Sequence, residues 1–410
     1  MRSIIKTGRL LKAILAVLCF TTNSLDGQQI KVHTITEEFD GSGGLNLGSD
    51  GMLYVANFGE SLDNANGTQV WVIDYKNGGQ PILFATNLTG ASGNDFDSEG
   101  NLFQSNISAG TVSKIDPNGN TSFFATNGIS CNVGINIDAE DNLYVCNCCG
   151  GNGNTIRKVT KNGVSTLFSS SNLFFCPNGI TRDKENNLYV SNFSNGNVIK
   201  IDPLGNASLL ATTPGLPGVS APSNGHIIYS ELENVLYVAS HGSHRIYKLT
   251  LDGELTVLAG SGIRGNQDGS AMEASFSRPN GLALSDTEDT LFVNSSIPIT
   301  DAGGRPLNPS VIRMITGLRG ISSVKEQTHL DITVAYDPFS RMIRILDLPI
   351  TSEALKVTIL TMDGKVILNE ELDALAEHEL KVPQSVIGGL YFVRISTESG
   401  KFNSTSVFIP

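Results

Sequence analysis

GMLYVAN (51–57), GNLFQSN (100–106), DNLYVCN (141–147), NNLYVSN (186–192), NVLYVAS (234–240) and DTLFVNS (289–295) are six versions of one short phrase. Each sets a turn residue ahead of a Leu that is followed by Tyr or Phe. The copies recur about every 40 to 55 residues, with room between them for several short alternating strands and tight turns. That pattern predicts a β-propeller, a ring of similar small sheets. Six copies predict six blades.

The copy around Leu188 shows what one blade contains. Asn178-Gly179-Ile180, Asn187-Leu188-Tyr189-Val190 and Val198–Asp202 read as strands a, b and c, and the run from Leu209 as strand d. The segment from Ile30 to Ile35 is expected to add an outer strand to the last blade, closing the ring and covering an edge that would otherwise invite aggregation. The propeller is placed at 30–316. From about 320 to 410 the repeats stop, and alternating strands around Ile343, Leu355, His378 and Gly389 predict a small Ig-like β-sandwich, with a hairpin turn at Asp363-Gly364. The fold class is all-β throughout.

A chain of 410 residues exceeds what one core usually organises, in keeping with two folded units. Its formal charge of −12 excludes a phosphate-tracking surface, so no nucleic-acid partner is expected. Arg2, Lys6, Arg9 and Lys12 followed by the apolar run Ala13–Phe20 read as a signal peptide over 1–28. That run is too short to span a bilayer, and no transmembrane segment is expected in the mature chain. Localisation is therefore read as secreted or at the outer cell surface. In that setting disulfides are expected among the five cysteines left after cleavage, and the odd count leaves at least one thiol free or intermolecular.

The repeats resemble the NHL-repeat family of propellers over roughly residues 30 to 316, most closely in LAGSGIRGNQDGSAMEASFSRPNGLAL, which starts at Leu258. GGLYFVRISTESGKF from Gly388, with the VTILTMDGKV hairpin before it, resembles the type A C-terminal sorting domain of cargo carried by the type IX secretion system of Bacteroidetes. That resemblance implies passage through the outer membrane, with the secretion machinery as a partner of residues 320–410. The terminal SVFIP departs from that family in lacking a basic residue.

Repetition separates building residues from working ones. Asp97, Asp138, Asp183 and Asp286 stand five residues before their blade's Leu, with Glu231 in the same place, and read as turn residues. Strands alternate direction within a blade, so a–b and c–d turns share one face of the disc, and b–c and d–a connections share the other. The irregular segments 59–68, 146–151, 240–244, 260–274 and 296–309 all fall on the second face, which is the expected binding face.

Three sets of residues there could carry chemistry. Asn178, Asn224 and Asn280 begin the channel strands of blades four to six, where Gly43, Ser92 and Val133 stand in the others. Converging amide oxygens could hold Ca²⁺, as in the gluconolactonase and senescence-marker propellers, to which this one is loosely similar. That family adds carboxylates, and Ser42 stands where its first Glu would be. Asn-Gly is also a common turn dipeptide. His241 and His244, together with Arg278, complete the candidate ligand-binding set. A zinc site of the peptide-amidating kind would need histidines from several blades, whereas His226, His241 and His244 share one. Cys131 and Cys176, at matching places in consecutive blades, are expected to pair. A vicinal bond between Cys148 and Cys149 then leaves Cys146 as the odd thiol.

The function read from these residues is an exported propeller that binds an extracellular ligand, a glycan, peptide or protein, on its loop-rich face without catalysis of its own. The alternative is a Ca²⁺-dependent lactonase or hydrolase using the three asparagines. A third is a structural component of a surface layer.

Overall fold

The computed structural model describes residues 30–149, 154–216, 218, 220–298 and 304–319, and within the C-terminal part 333–337, 341–346, 355–361, 365–372, 378–383, 386, 388–397 and 402–409. The expected signal peptide at 1–28 and the Asp363-Gly364 turn lie outside the described residues. The chain divides into two compact units, Met1–Ile321 and Ser322–Pro410.

The first unit is a propeller of six antiparallel sheets. Blade four is representative, with strands a to d at Pro177–Arg182, Leu188–Asn192, Asn197–Ile201 and Ala207–Thr212. Strand b is buried along its whole length in this blade, because neighbouring blades cover both of its faces. Strand d lies on the rim and is mostly exposed or half-buried.

The Leu-aromatic pair is explained by the two-residue period of a strand, which turns adjacent side chains to opposite faces. Leu188 packs with Tyr144, Ile156 and Ile180 between blades three and four, while Tyr189 packs with Ile227, Leu236 and Val238 between blades four and five. The same division holds around the ring. Leu291 belongs to the layer between blades five and six, and Phe292 to the layer that joins blade six to Leu45, Leu53 and Val55 of blade one. The motif is thus a two-sided wedge, and the layer around Phe292 shows the ring closed.

Near the axis the strands come too close for side chains. A Cβ on Gly134 would lie 2.3 Å from the carbonyl oxygen of Asn178, and one on Gly281 would lie 2.8 Å from that of Gly43. Gly44, Gly93, Gly179 and Gly225 meet their neighbouring blades in the same way. The Gly after each channel residue therefore permits close backbone approach. This corrects the reading of Asn-Gly as a turn dipeptide: Asn178-Gly179 lies inside strand a, Asn280-Gly281 directly precedes its strand, and Asn224-Gly225 is one residue short of its own.

Closure uses the start of the chain. Lys31–Phe39 pairs with strand c of blade six, Ser310–Thr316, in a register running from Lys31 opposite Thr316 to Phe39 opposite Ser310. The strand is longer than the expected Ile30–Ile35. A side-chain clasp fastens it. Asp268 accepts from the backbone N–H and hydroxyl of Thr34, both at 3.0 Å, and from Nη2 of Arg313 at 2.7 Å. Arg313 is fully buried and also donates to the carbonyls of Ser275 and Gln267.

Three of the repeated aspartates build turns, Asp183 Oδ1 accepting from Asn187 N–H at 2.8 Å, while in blade six Ser285 Oγ accepts from Thr290 N–H. Asp97 Oδ1 accepts from the N–H groups of Glu99 and Asn101, and Asp138 Oδ1 from those of Glu140 and Asn142.

The second unit is a β-sandwich. A three-stranded sheet (Thr333–Asp337, Met342–Leu346, His378–Lys381) and a four-stranded sheet (Leu355–Thr361, Val366–Leu372, Gly389–Thr397, Phe402–Ile409) share one core. Alternate residues supply that core: Ile343 and Ile345, Val357 and Ile359, Val393 and Ile395. No helix among the described residues is long and apolar enough to cross a membrane.

Candidate binding recess on the loop-rich face

The loops of blades one and six interlock beside the channel mouth. Leu62 N–H donates to Arg305 O at 3.2 Å and Leu307 N–H to Glu60 O at 2.9 Å. Asn308 donates to Asn57 Oδ1 and Gly59 O, and Arg305 forms an ion pair with Asp63 that holds this carboxyl below its usual range. Residues 299–303 of the blade-six loop, and Gly150 and Gly151 of the cysteine loop, lie outside the described residues.

Beside this wall the channel mouth forms a recess of ≈140 Å³ to which every blade contributes. Phe58, Ile107, Cys148, Phe193 and His241 ring it, each five residues after its blade's Leu. Ser92, Val133, Asn178 and Asn280, at the starts of the channel strands, lie deeper. Leu62, Arg305 and Leu307 complete one side. Counting forward from the Leu is a signal the sequence carries for the ring of five, although the reading above used only the opposite direction.

The three asparagines do not converge. Asn178 Nδ2 donates to Asn224 O at 3.0 Å and Asn280 Nδ2 to Ser42 O at 2.9 Å, so each ties its blade to the next. Asn224 is fully buried and its amide is engaged elsewhere, with Nδ2 donating to Gly196 O at 2.8 Å and Oδ1 accepting from Thr213 Oγ1. Its oxygen is withheld from the channel. Two amide oxygens fall far short of the six to eight that Ca²⁺ takes, and the described residues contain no group of three or more His, Cys, Asp or Glu placed to hold a metal. The expected Ca²⁺ site at Asn178, Asn224 and Asn280 does not fit this geometry.

The disulfides also differ from expectation. Cys131 pairs with Cys149 and Cys148 with Cys176, in place of Cys131–Cys176 and a vicinal Cys148–Cys149 bond. Adjacent side chains diverge, so Cys149 reaches back to its own blade while Cys148 crosses to the next; the Cα atoms stand 5.4 and 4.0 Å apart. Cys131 and Cys176 sit two residues before the channel residue, where the backbone has φ of 42° and 52°. Blade two uses Gly90 at that place, with φ of 65°. Cys146 is free and buried, and burial pushes its thiol up, away from reactivity.

A wider groove of ≈700 Å³ adjoins the recess, sharing Leu62, Phe193, His241 and Arg305 with it. The loop at Ser240–Arg245 brings His241 and His244 there, and Arg264, Arg278 and Arg305 line the other side. His241 is buried edge-on to Phe193, with ring centroids 5.5 Å apart. Burial, then the charges of Arg278 and its neighbours, hold its imidazole well below the usual value. Arg278 is fixed at both ends, its N–H donating to His244 Nδ1 at 3.3 Å and Nη1 to Pro306 O at 2.9 Å. Arg264 donates to Ser277 Oγ and Pro298 O, both at 3.1 Å. The groove thus brings His241, His244 and Arg278 together, and adds Arg264 and Arg305, which the sequence reading had not singled out. His226, just before the channel strand, lines neither space.

No protein-family model and no curated protein sequence matches the chain. Solved structures do match it in fold. A Bacteroides thetaiotaomicron protein described as an auxiliary nutrient binding protein aligns with a TM-score of 0.53 at 14% identity, over 70% of this chain and 76% of its own. A second Bacteroides thetaiotaomicron protein, of unknown function, gives 0.54 at 14% identity, over 70% and 76%. A Xanthomonas campestris gluconolactonase gives 0.51 at 11% identity, over 71% and 90%. The class defined by fold is a six-bladed β-propeller. At these identities the likeness extends to architecture alone.

Proposed function

We propose that this protein is an exported binding protein whose propeller receives an extracellular ligand, a glycan or peptide segment, in the recess at the channel mouth. The observation that carries the reading is the recess itself, assembled from all six blades with an apolar ring (Phe58, Ile107, Phe193) and a few polar groups (Ser92, Asn178, His241, Asn280). Concave, mainly apolar sites with a small number of placed polar groups are where ligands bind. Aromatic rims add stacking surfaces at low entropic cost.

The test is binding of the full chain to arrays of glycans and peptides. Phe193→Asp is expected to weaken captured ligands at least tenfold, while Ser98→Ala on the opposite face leaves them unchanged. Equal binding by both variants would refute the placement. For export, residues 1–28 serve as the signal and 320–410 as the sorting domain for the type IX machinery. Removing 320–410 in a bacterium that has that system should trap the propeller in the periplasm, and its undiminished appearance outside the cell would refute this role.

A further inference from the structure

We propose that the recess at the channel mouth is a seat for one phenol ring, the side chain of a tyrosine presented by a peptide segment. The inference deepens the reading that this face binds, and it rests on that reading. The first argument is size. The recess measures ≈140 Å³, and an apolar cavity of about 150 Å³ holds one benzene ring. The lining then narrows the kind of ring. Phe58, Leu62, Ile107, Phe193 and Leu307 make apolar walls, and the polar groups are few. A sugar ring carries hydroxyls around its whole edge and would set several against those walls, each losing a hydrogen bond to water. A phenol is apolar everywhere except at its one hydroxyl, and Phe58 and Phe193 offer it aromatic contact.

The hydroxyl is assigned from what the polar groups lack. His241 lines the recess, is only 7% exposed, and its Nε2 has no partner among the described residues. Buried polar atoms are nearly always paired in native proteins, so an unpaired one at a recess marks the place of an absent partner. Asn178 and Asn280 commit their amide nitrogens to the carbonyls of Asn224 and Ser42, which leaves each an acceptor oxygen at the recess. A phenolic oxygen both donates and accepts, and so matches both kinds of group. The source of the ring is read from the groove beside it. That groove, of ≈700 Å³, shares Leu62, Phe193 and His241 with the recess. Ser223 lines it, with Oγ buried and unpartnered among the described residues. A peptide backbone brings an N–H and a C=O at each residue to such a groove. Tyrosine is also among the side chains that anchor bound segments in desolvated pockets.

The experiment is calorimetric titration of the full-length mature chain with three blocked pentapeptides, Gly-Gly-Tyr-Gly-Gly and its Phe and Ala counterparts, and with p-cresol, the tyrosine side chain alone. The Tyr peptide should bind about tenfold more tightly than the Phe peptide, the worth of one hydrogen bond, and the Phe peptide more tightly than the Ala peptide. His241→Phe should bring the Tyr peptide down to the affinity of the Phe peptide and leave the latter unchanged. The peptide series on the parent chain stands by itself if that variant does not fold. Equal affinity for Tyr and Phe peptides overturns the phenol, and a Tyr preference that survives His241→Phe overturns the role of the histidine. A Tyr peptide that binds more tightly than p-cresol supports the peptide as the source of the ring, and p-cresol binding equally well overturns it. If no phenol binds while a saccharide does so in a manner sensitive to Phe193→Asp, the proposal is overturned and the binding face remains. If Phe193→Asp affects nothing that binds, both readings fall.

Discussion

Single residues in this propeller serve mainly as joints, and His226 shows what burial at a joint costs. Its backbone N–H donates to Asn280 O at 2.9 Å across the boundary to blade six, while Nε2 is buried without a partner among the described residues. Burial pushes the imidazole down from 6.5 to about 4. A group with a lower value in the folded state takes up its proton first in the unfolded chain. Its contribution to stability is therefore complete above about pH 6.5 and drains away as the pH falls toward 4. Asp95 works in the opposite sense. Burial raises its carboxyl to about 6, against hydrogen bonds from Ile137 N–H, Phe96 N–H and Asn46, so its penalty is greatest above pH 6 and is relieved by acid. Urea midpoints of His226→Gln and the parent, measured from pH 7.5 to 4.5, isolate the first effect: the parent should lose stability relative to the variant as the pH drops. Parallel profiles would refute it.

At the scale of elements, two devices hold the disc together beyond its hydrophobic layers. The disulfides Cys131–Cys149 and Cys148–Cys176 close spans of 18 and 28 residues, and loops of that size stabilise by about 3 kcal/mol each. Cys176→Ser should lower stability by about that amount. Partial reduction followed by fragment sequencing should recover Cys131 joined to Cys149; recovery of Cys131 joined to Cys176 would refute the pairing. The second device is the clasp on the closing strand. Asp268→Ala leaves the buried Arg313 without its carboxylate, and because Asp268 is itself half exposed and screened by solvent the cost is about 1–3 kcal/mol. Hydrogen exchange should show Lys31–Phe39 opening first in that variant, and unchanged protection of Thr34 would argue against the clasp.

The sequence made some of this legible and hid the rest for physical reasons. Alternation along a strand is a local property, so the copies around Leu53 to Leu291 disclosed blade number, strand order and the face that carries the irregular loops. The closing strand was visible because the last blade's open edge calls for a partner and 30–35 lies ahead of the first blade. The asparagines misled because the direction of Asn224 is set by Gly196 and Thr213 of the preceding blade, partners that no spacing within its own blade discloses. The cysteines misled for a related reason. Matching places in consecutive blades suggested a partnership, but the adjacent pair at 148 and 149 lies between them and takes one each.

Taken whole, the first unit is a ring in which loops from opposite ends of the propeller meet. Asn57 and Asn308 touch at 2.9 Å although 251 positions separate them. The same closure brings the two ends of the propeller side by side, since Lys31 stands opposite Thr316 in the ladder between the closing strand and strand c of blade six. Both termini of the disc therefore emerge at its circumference, away from the axis. A linker, support or fluorophore joined at either point grips the wheel by its tyre and leaves the hub free to be occupied.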